Sequence, residues 1–208
     1  IVKFDPTNIT IKTSACEIKG QLKHTKDDPV YGDHWRAMVE IKLLKPEKLK
    51  SVFISALFVT GKTGNSAPVS ANYVSPVDPN DAAAVAAQQA MLAADLADQT
   101  LFSYWFASLD VGGLNVPLTP IPLALNGIGG FAYHHMQKDS PTAFPVPCRR
   151  NKLGLGVKFQ FSDIPMTGKI VKLDLQLEVI INDGAWAMEM YAQAKVGNKG
   201  GTSGSFPP

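Results

Sequence analysis

The chain has 208 residues, of which 45% are hydrophobic and 18% charged. An apolar fraction of this size can fill a core, so disorder is excluded as a description of the whole chain. The formal net charge is +2, and Lys and Arg are not clustered as a nucleic-acid surface requires, which argues against such a partner. Frequent glycine and proline favour many short strands joined by turns, and so a mainly β fold.

The first half of the chain shows the hydrophobic pattern of strands. Ile9–Thr13 and Met38–Leu43 alternate apolar and polar residues with a period of two, as a strand buried on one face does. Ser51–Val59 and Leu101–Leu109 are apolar on both faces, which predicts central strands with layers on both sides. We therefore expect an antiparallel sandwich or a barrel-like sheet with a filled interior.

An alanine-rich segment between these strands predicts the one α-helix. Asp81–Gln99 consists almost entirely of good helix formers, and Pro79-Asn80 precedes it as the expected cap. The helix belongs to an insertion at about 64–99, which starts with a Ser/Asn/Pro-rich loop. A helix so rich in alanine buries little by itself, so it needs a neighbour, either its own sheet or a partner chain.

The segment Val116–Met136 is nearly uncharged and has three prolines in its first half, which exclude a regular central strand there. It predicts either a buried irregular crossing followed by a strand, or an apolar surface that another subunit covers. The second alternative, taken together with the helix, defines a candidate interaction surface. Its residues are Val85, Leu92, Leu96, Leu118, Ile121 and Leu123.

The C-terminal third predicts a three-stranded antiparallel meander. Leu153–Phe161, Lys172–Val179 and a segment containing Trp186, Met188 and Met190 each alternate with a period of two, and turn-forming residues separate them. In Lys172–Val179 the leucines and the valine are expected on the buried face and the polar residues on the solvent face. Residues 197–208 have the composition of a flexible linker, so a single domain is expected over 1–196.

Two clusters contain residue types that bind metal ions, but neither has a pattern that predicts a metal site. Asp27–His34 gathers three carboxylates beside His24, although its order does not match a calcium loop. A hairpin connection with solvated acidic residues is the better interpretation. His134 and His135 would face opposite ways in a strand and so could not share an ion, which favours ordinary strand histidines. No metal and no cofactor is expected.

Catalytic motifs are also lacking. The chain has no G-x-S-x-G, and Gly127–Gly130 lacks the spacing of a phosphate loop. Paired carboxylates for glycoside hydrolysis are recognised by their distance in the folded protein rather than by their spacing in the sequence, so a hydrolase remains the least favoured alternative.

The basic runs Lys42–Lys50 and Cys148–Lys152 are interpreted as solvated strand ends. Cys16 and Cys148 are either a disulfide or two thiols.

Four short elements resemble a known module when they are taken in order. They are Asp28–Asp33 (DPVYGD), Ser55–Val59 (SALFV), Tyr104–Leu109 (YWFASL) and Gly127–Met136 (GIGGFAYHHM). Together they are similar to a module of very large, mostly uncharacterised proteins of Bacteroidetes, which has no established activity. The resemblance covers about residues 27–136. The chain departs from it at residues 64–99, because the module passes almost directly from the second element to the third.

The sequence therefore favours a non-catalytic structural or interaction module of a large multi-module assembly, extracellular or at the cell surface. Its expected partners are other protein modules or subunits, in an oligomer or a multi-module assembly. A glycan-binding or adhesin-like domain, with Trp35, Trp105 or Trp186 as a stacking platform, is the alternative. The sequence shows no signal peptide and no apolar run long enough for a transmembrane helix, and its start at Ile1 suggests a piece of a longer protein.

Overall fold

The computed structural model describes residues 7–49, 51–69, 74, 77–150, 153–163, 169–182 and 185–198. Apart from a short 3-10 helix at Glu47–Leu49, the regular elements of these residues follow in chain order. They are β1 Thr7–Lys12, β2 Cys16–Asp28, β3 Gly32–Leu43, β4 Phe53–Thr63, α1 Ala82–Ala97, β5 Phe102–Pro117, β6 Leu123–His134, β7 Met136–Gln137, β8 Val146–Pro147, β9 Leu153–Asp163, β10 Lys169–Asn182 and β11 Ala185–Asn198.

Nine of the strands form one antiparallel sheet in the order β1-β2-β3-β4-β5-β6-β9-β10-β11. β7 and β8 pair as a separate short ribbon, which supplies part of a second layer over the sheet. The expected fold class, a mainly β antiparallel sandwich-like structure with one helix, is confirmed, and so is the meander β9-β10-β11. The sheet is not closed into a barrel, and β1 and β11 are its edges.

The strands are in register across the whole sheet, so that single rows of residues cross all nine of them. The central row is Ile9, Gly20, Val39, Ala56, Leu109, Gly130, Val157, Leu177 and Met190. Directly paired residues have their side chains on the same face, and the neighbours of each residue along a strand point to the other face. The register therefore divides the sheet into two faces of fixed composition.

One of these faces, here called the covered face, carries the core. The core cluster consists of Val59, Tyr104, Phe106, Phe131, Tyr133 and Met136. Met136 comes from β7, so the connection that follows β6 folds back over the sheet. Gly154 and Gly156 of β9 leave room for the rings of Tyr133 and Phe131, which lie directly over them. The core therefore depends on aromatic rings packed against bare backbone.

The faces of β10 are the reverse of what the sequence predicts. Lys172–Val179 is a strand, as expected. However, Gln176 and Glu178 point to the covered face and are buried, whereas Leu177 on the opposite face is 38% exposed. The expectation of layers on both sides of β4 and β5 is also wrong for the described residues, because Phe58 and Leu109 on the opposite face are exposed. A period of two shows that two faces differ, but not which one is covered.

The helix α1 forms where it is predicted, but its cap and its surroundings differ. Asp81, rather than Pro79-Asn80, caps it, because the Asp81 carboxylate accepts hydrogen bonds from the N–H groups of Ala83 and Ala84. All the residues of α1 are described and none of them is buried, so the helix does not pack into the core of its own sheet.

Two arginines attach the C-terminal end of α1 to the residues before β9. Arg150 forms an ion pair with Asp95. Arg149 donates to the carbonyl oxygens of Asp98 and Thr100 at 2.9 and 2.6 Å, and its guanidinium lies 4.9 Å from the ring of Phe102. The interpretation of this basic run as a solvated strand end is therefore wrong for Arg149 and Arg150, which hold the inserted helix in place.

The proline-rich segment is not a buried crossing. Val116 and Pro117 end β5, residues 118–122 form the turn, and β6 begins at Leu123, so the segment is a hairpin with Val116 and Ile121 exposed.

Gly197 and Asn198 belong to β11, whereas the rest of the expected linker lies outside the described residues. The turns expected at 164–168 and 183–184 also lie outside them. Cys16 and Cys148 do not form a disulfide, so the second of the two alternatives for them is correct.

The glycines under the aromatic rings give the first prediction. Gly156→Ala should lower the free energy of unfolding by about 1–3 kcal/mol, because the added methyl group would overlap the Phe131 ring. Gly130→Ala is the matched control on the neighbouring strand. Its methyl group would meet only the carbonyl oxygen of Gly156, at 3.4 Å, so a change within about 0.5 kcal/mol is expected. Urea titration measures both, and equal losses would contradict this packing.

Candidate functional surface

The face opposite the core is apolar on every strand, and it is called the apolar face from here on. Its central row is given above, and two rows of the same face lie on either side of it. One contains Ile11, Ile18, Ile41, Ile54, Val111, Ile128, Phe159, Leu175 and Ala192. The other contains Thr7, Leu22, Ala37, Phe58, Ala107, Ala132, Leu155, Val179 and Met188.

Much of this face is accessible to solvent. On β11, Met190 is 81% exposed, Trp186 72% and Met188 61%, and further large exposed side chains of the face come from β1 through β10. They are Ile9, Ile11, Leu22, Val39, Phe58, Leu109, Ile128, Leu155, Val157, Leu177 and Ile181. Eight strand spacings of ~4.8 Å and a height of ~27 Å give a face of roughly 1,000 Å². The largest apolar patch on a typical monomer is only ~300–600 Å², so the extent of this face makes it the candidate interaction surface.

All three tryptophans of the chain lie in one further row of the apolar face, called the tryptophan row. From β2 to β6 it contains His24, Trp35, Thr60, Trp105 and His134. The β6–β9 pairing ends one residue earlier, at Tyr133 and Gly154, and the next residue of β9 continues the row with Leu153, Ile181 and Trp186. Trp35 stacks on His24 with ring centroids 4.4 Å apart, and Trp105 stacks on His134 at 6.2 Å. The next row of the same face, beyond the tryptophans, pairs Asp33 with Lys62 and Lys62 with Ser103. The tryptophans therefore mark the end of the apolar rows and the start of charged ones.

Charged groups are buried on the covered face instead. The Lys138 ammonium donates to the Glu178 carboxylate at 2.8 Å, and their side chains are only 6% and 2% exposed. Tyr133 and Gln176 also donate to this carboxylate, so both of its oxygens are hydrogen-bonded. Lys138 lies 3.6 Å from the centroid of the Phe131 ring. Burial lowers the pKa of Lys138 below its usual value, while the hydrogen bond to Glu178 acts in the opposite direction.

This ion pair attaches the connection after β7 to the sheet. Gln176 donates in addition to the carbonyl oxygen of Pro141 at 3.0 Å, and Tyr31 donates to that of Pro145 at 3.3 Å. A groove of about 590 Å³, lined in part by Lys138, Gln176 and Tyr191, adjoins the pair. Since the oxygens of Glu178 are already occupied by donors, the geometry supports a structural role for the cluster.

The acidic segment near residue 30 is a hairpin turn, as the sequence predicts. The Asp28 carboxylate accepts from the N–H groups of Val30 and Tyr31 at 2.9 Å, and Asp33 accepts from the N–H of Asp27 at 3.0 Å. A groove of about 760 Å³ beside the turn is lined by these three aspartates together with His24 and Trp35. Two of the three carboxylates are thus engaged in shaping the turn. No group of metal-ligating side chains occurs among the described residues.

The two adjacent histidines differ from the predicted geometry in one respect. His134 ends β6, but His135 lies after the strand with a φ of 51°. The ring centroids are therefore 4.4 Å apart instead of facing opposite ways. Nδ1 of His135 is 2.8 Å from the carbonyl oxygen of Arg149, so this ring helps to fix the connection before β9.

The six residues of the predicted interaction surface do not come together. Val85 and Leu92 are half-buried and Leu96 is exposed, and all three lie on α1, in the connection at the tryptophan end of β4 and β5. Leu118, Ile121 and Leu123 lie at the opposite end of β5 and β6. The surface that prediction missed is the apolar face. Its signal was present in the sequence, since the apolar positions of nearly every predicted strand fall on one face once the strands are paired in order.

No family model, curated protein or solved structure matches this chain. Within the described residues, no helix has the length and apolar character that crossing a membrane requires. The structure and its two faces are therefore the basis for any statement about function.

The buried ion pair gives the second prediction. Lys138→Met should lower the free energy of unfolding by about 3–5 kcal/mol, because Glu178 would stay buried without its counter-ion. Glu178→Gln should cost a similar amount, and the double variant should cost clearly less than the sum of the two. The control is Glu17→Gln, since the exposed pair Lys19–Glu17 at 3.6 Å should contribute less than about 1 kcal/mol. Additive losses in a urea double-mutant cycle would contradict the coupling.

Proposed function

We propose that this chain is a non-catalytic structural and interaction module of a larger assembly, placed at the cell surface or outside the cell. The observation that carries the proposal is the apolar face. Nine strands expose it, while the buried charges lie on the other side of the sheet. An apolar surface of this extent is unfavourable in water, so a module that keeps it has a partner that covers it.

Two further features support an interaction role. Within the part of the chain that the structure describes, the edge strands β1 and β11 each present one row of backbone N–H and C=O groups with no neighbouring strand of the sheet. Such edges pair readily with strands of other copies or other modules. The composition of residues 197–208, rich in glycine and serine, suits a connection between modules.

The third prediction tests this role. The parent chain should associate in aqueous buffer, and Val39→Gln with Leu109→Gln should reduce the associated fraction at least about fivefold, because both side chains lie in the central row of the apolar face. Glu40→Gln with Asp110→Asn, on the covered face of the same strands, should leave association unchanged. Light scattering measures the mass. Equal association of the two double variants would contradict the assignment of the apolar face as the interacting surface.

Glycan binding is the second candidate function, favoured by the groove in which Trp35 lies beside three aspartates. Aromatic rings pack on sugar faces, and carboxylates accept hydrogen bonds from sugar hydroxyl groups. The fourth prediction is that a glycan array read with the parent chain and with Trp35→Ala gives at least about a tenfold loss of any signal in the variant. Trp186→Ala is the control, because Trp186 does not line this groove. Equal signals from all three chains would exclude the groove as a glycan site.

A further inference from the structure

The apolar face has a defined height along the strands. On β3 it runs from Trp35 to Leu43, with Ala37, Val39 and Ile41 between them, and all five side chains lie on the same face. These nine residues extend ~27 Å at ~3.4 Å per residue. The hydrocarbon layer of a bilayer is ~30 Å thick, and a strand that crosses it needs about 9–11 residues.

Both ends of this apolar span are marked by a change in chemistry. Asp33 and Lys62 form the row beyond the tryptophans, and the exposed Lys45 and Glu47 lie in the connection beyond Leu43. Between the tryptophan row and the row of Cys16 and Leu43, the described positions of the apolar face contain no Asp, Glu, Lys or Arg. A charged side chain in hydrocarbon is costly, so this distribution is the one that hydrocarbon requires.

The placement of the tryptophans discriminates between lipid and a second protein sheet. A protein–protein interface concentrates its aromatic residues at the centre of the contact, where they are fully desolvated. Here the central row contains aliphatic residues, Met190, an alanine and two glycines, and Phe58 and Phe159 lie in the rows beside it. The tryptophans, which are the residues most enriched at hot spots, lie only in the last row before the charged residues. Tryptophan is enriched at the level of lipid headgroups, where one part of its ring is in an apolar and the other in a wet environment.

We infer that the apolar face contacts the hydrocarbon of a lipid bilayer, with the strands crossing it and the tryptophan row at the level of one set of headgroups. This inference rests on the proposed function, because it names the partner that covers the face. In hydrocarbon every backbone N–H and C=O group must be hydrogen-bonded. The outer edges of β1 and β11 therefore pair with further strands in the membrane, and protein partners meet the module at these edges while lipid covers its face.

The experiment uses the full chain mixed with vesicles of phosphatidylcholine whose acyl chains carry bromine, a quencher of tryptophan fluorescence, at either a shallow or a deep position. The native tryptophans should be quenched more strongly by shallow bromine. Leu109→Trp adds a ring about 13 Å further along β5 from Trp105, and its added fluorescence should be quenched more strongly by deep bromine. Equal depth for the two positions, as in a sheet lying flat on the surface, would overturn the crossing.

A matched pair of variants tests the face itself. Val39→Lys with Leu109→Lys should reduce the fraction that floats with phosphatidylcholine vesicles at least about 50-fold, since two charges would enter hydrocarbon. Glu40→Gln with Asp110→Asn changes the net charge by the same amount on the covered face of the same strands, and should float like the parent. Equal flotation of the two variants would overturn the inference. The quenching of the parent tryptophans needs no variant to fold.

Different results would contradict the lipid inference and the proposed interaction role. A dimer of defined mass in buffer, whose tryptophans neither bromolipid quenches, would show that a second copy covers the face. That result overturns the lipid inference and leaves the interaction role intact. A stable monomer in buffer that does not float with vesicles would overturn both.

Discussion

The continuous register of the nine strands in their central rows is the constraint on which both surfaces depend. A shift of one residue in any strand would move its whole apolar set to the other side of the sheet. The register is interrupted between Thr25 and Asp28, between Gly112 and Val116, and between Leu125 and Gly127. These positions lie towards strand ends, so the central rows continue without interruption from β1 to β11. A single apolar surface of this width exists only because no strand slips.

The covered face shows how the polar groups are accommodated. A buried ion pair is costly to desolvate and is tolerated only when its geometry is good and additional hydrogen bonds satisfy its atoms. The Lys138–Glu178 pair meets this condition through Tyr133 and Gln176, and the segment that supplies Lys138 also supplies the core residue Met136. The same connection therefore closes the core and neutralises the charge on β10. Relative to a globular sandwich, the polarity of β10 is reversed, with its carboxylate inside and its leucines outside.

The sequence predicts the elements better than it predicts their surroundings. Alternation identifies the strands of the C-terminal meander, and alanine content identifies α1, because both signals are local. Which face of β10 is covered depends on residues 136–148, which are distant in sequence from Gln176 and Glu178, and no local pattern contains that information. Arg149 and Arg150 appear solvated in the sequence for the same reason, since their partners Asp95 and Asp98 lie some 50 residues earlier. The residues predicted as an interaction surface lie far apart because hydrophobicity alone does not show at which end of the sheet a connection lies. Val85 belongs to the connection at the tryptophan end, and Ile121 belongs to the turn at the other end.

The two ends of the sheet differ in the length of the connections that leave from them. The short turn 29–31 and the connections 64–101 and 135–152 leave from the tryptophan end, whereas residues 13–15, 44–52 and 118–122 link strands at the other end. The helix α1 and the ion pairs of Arg149 and Arg150 belong to the long connections, so polar, folded chain is concentrated on one side. If the strands cross a bilayer, this side carries the surface that other molecules meet, and the short connections can pass through hydrocarbon during insertion at a lower cost than the long ones. The distribution of connection lengths is therefore compatible with strands that cross a bilayer, and it adds a direction that the distribution of side chains does not contain.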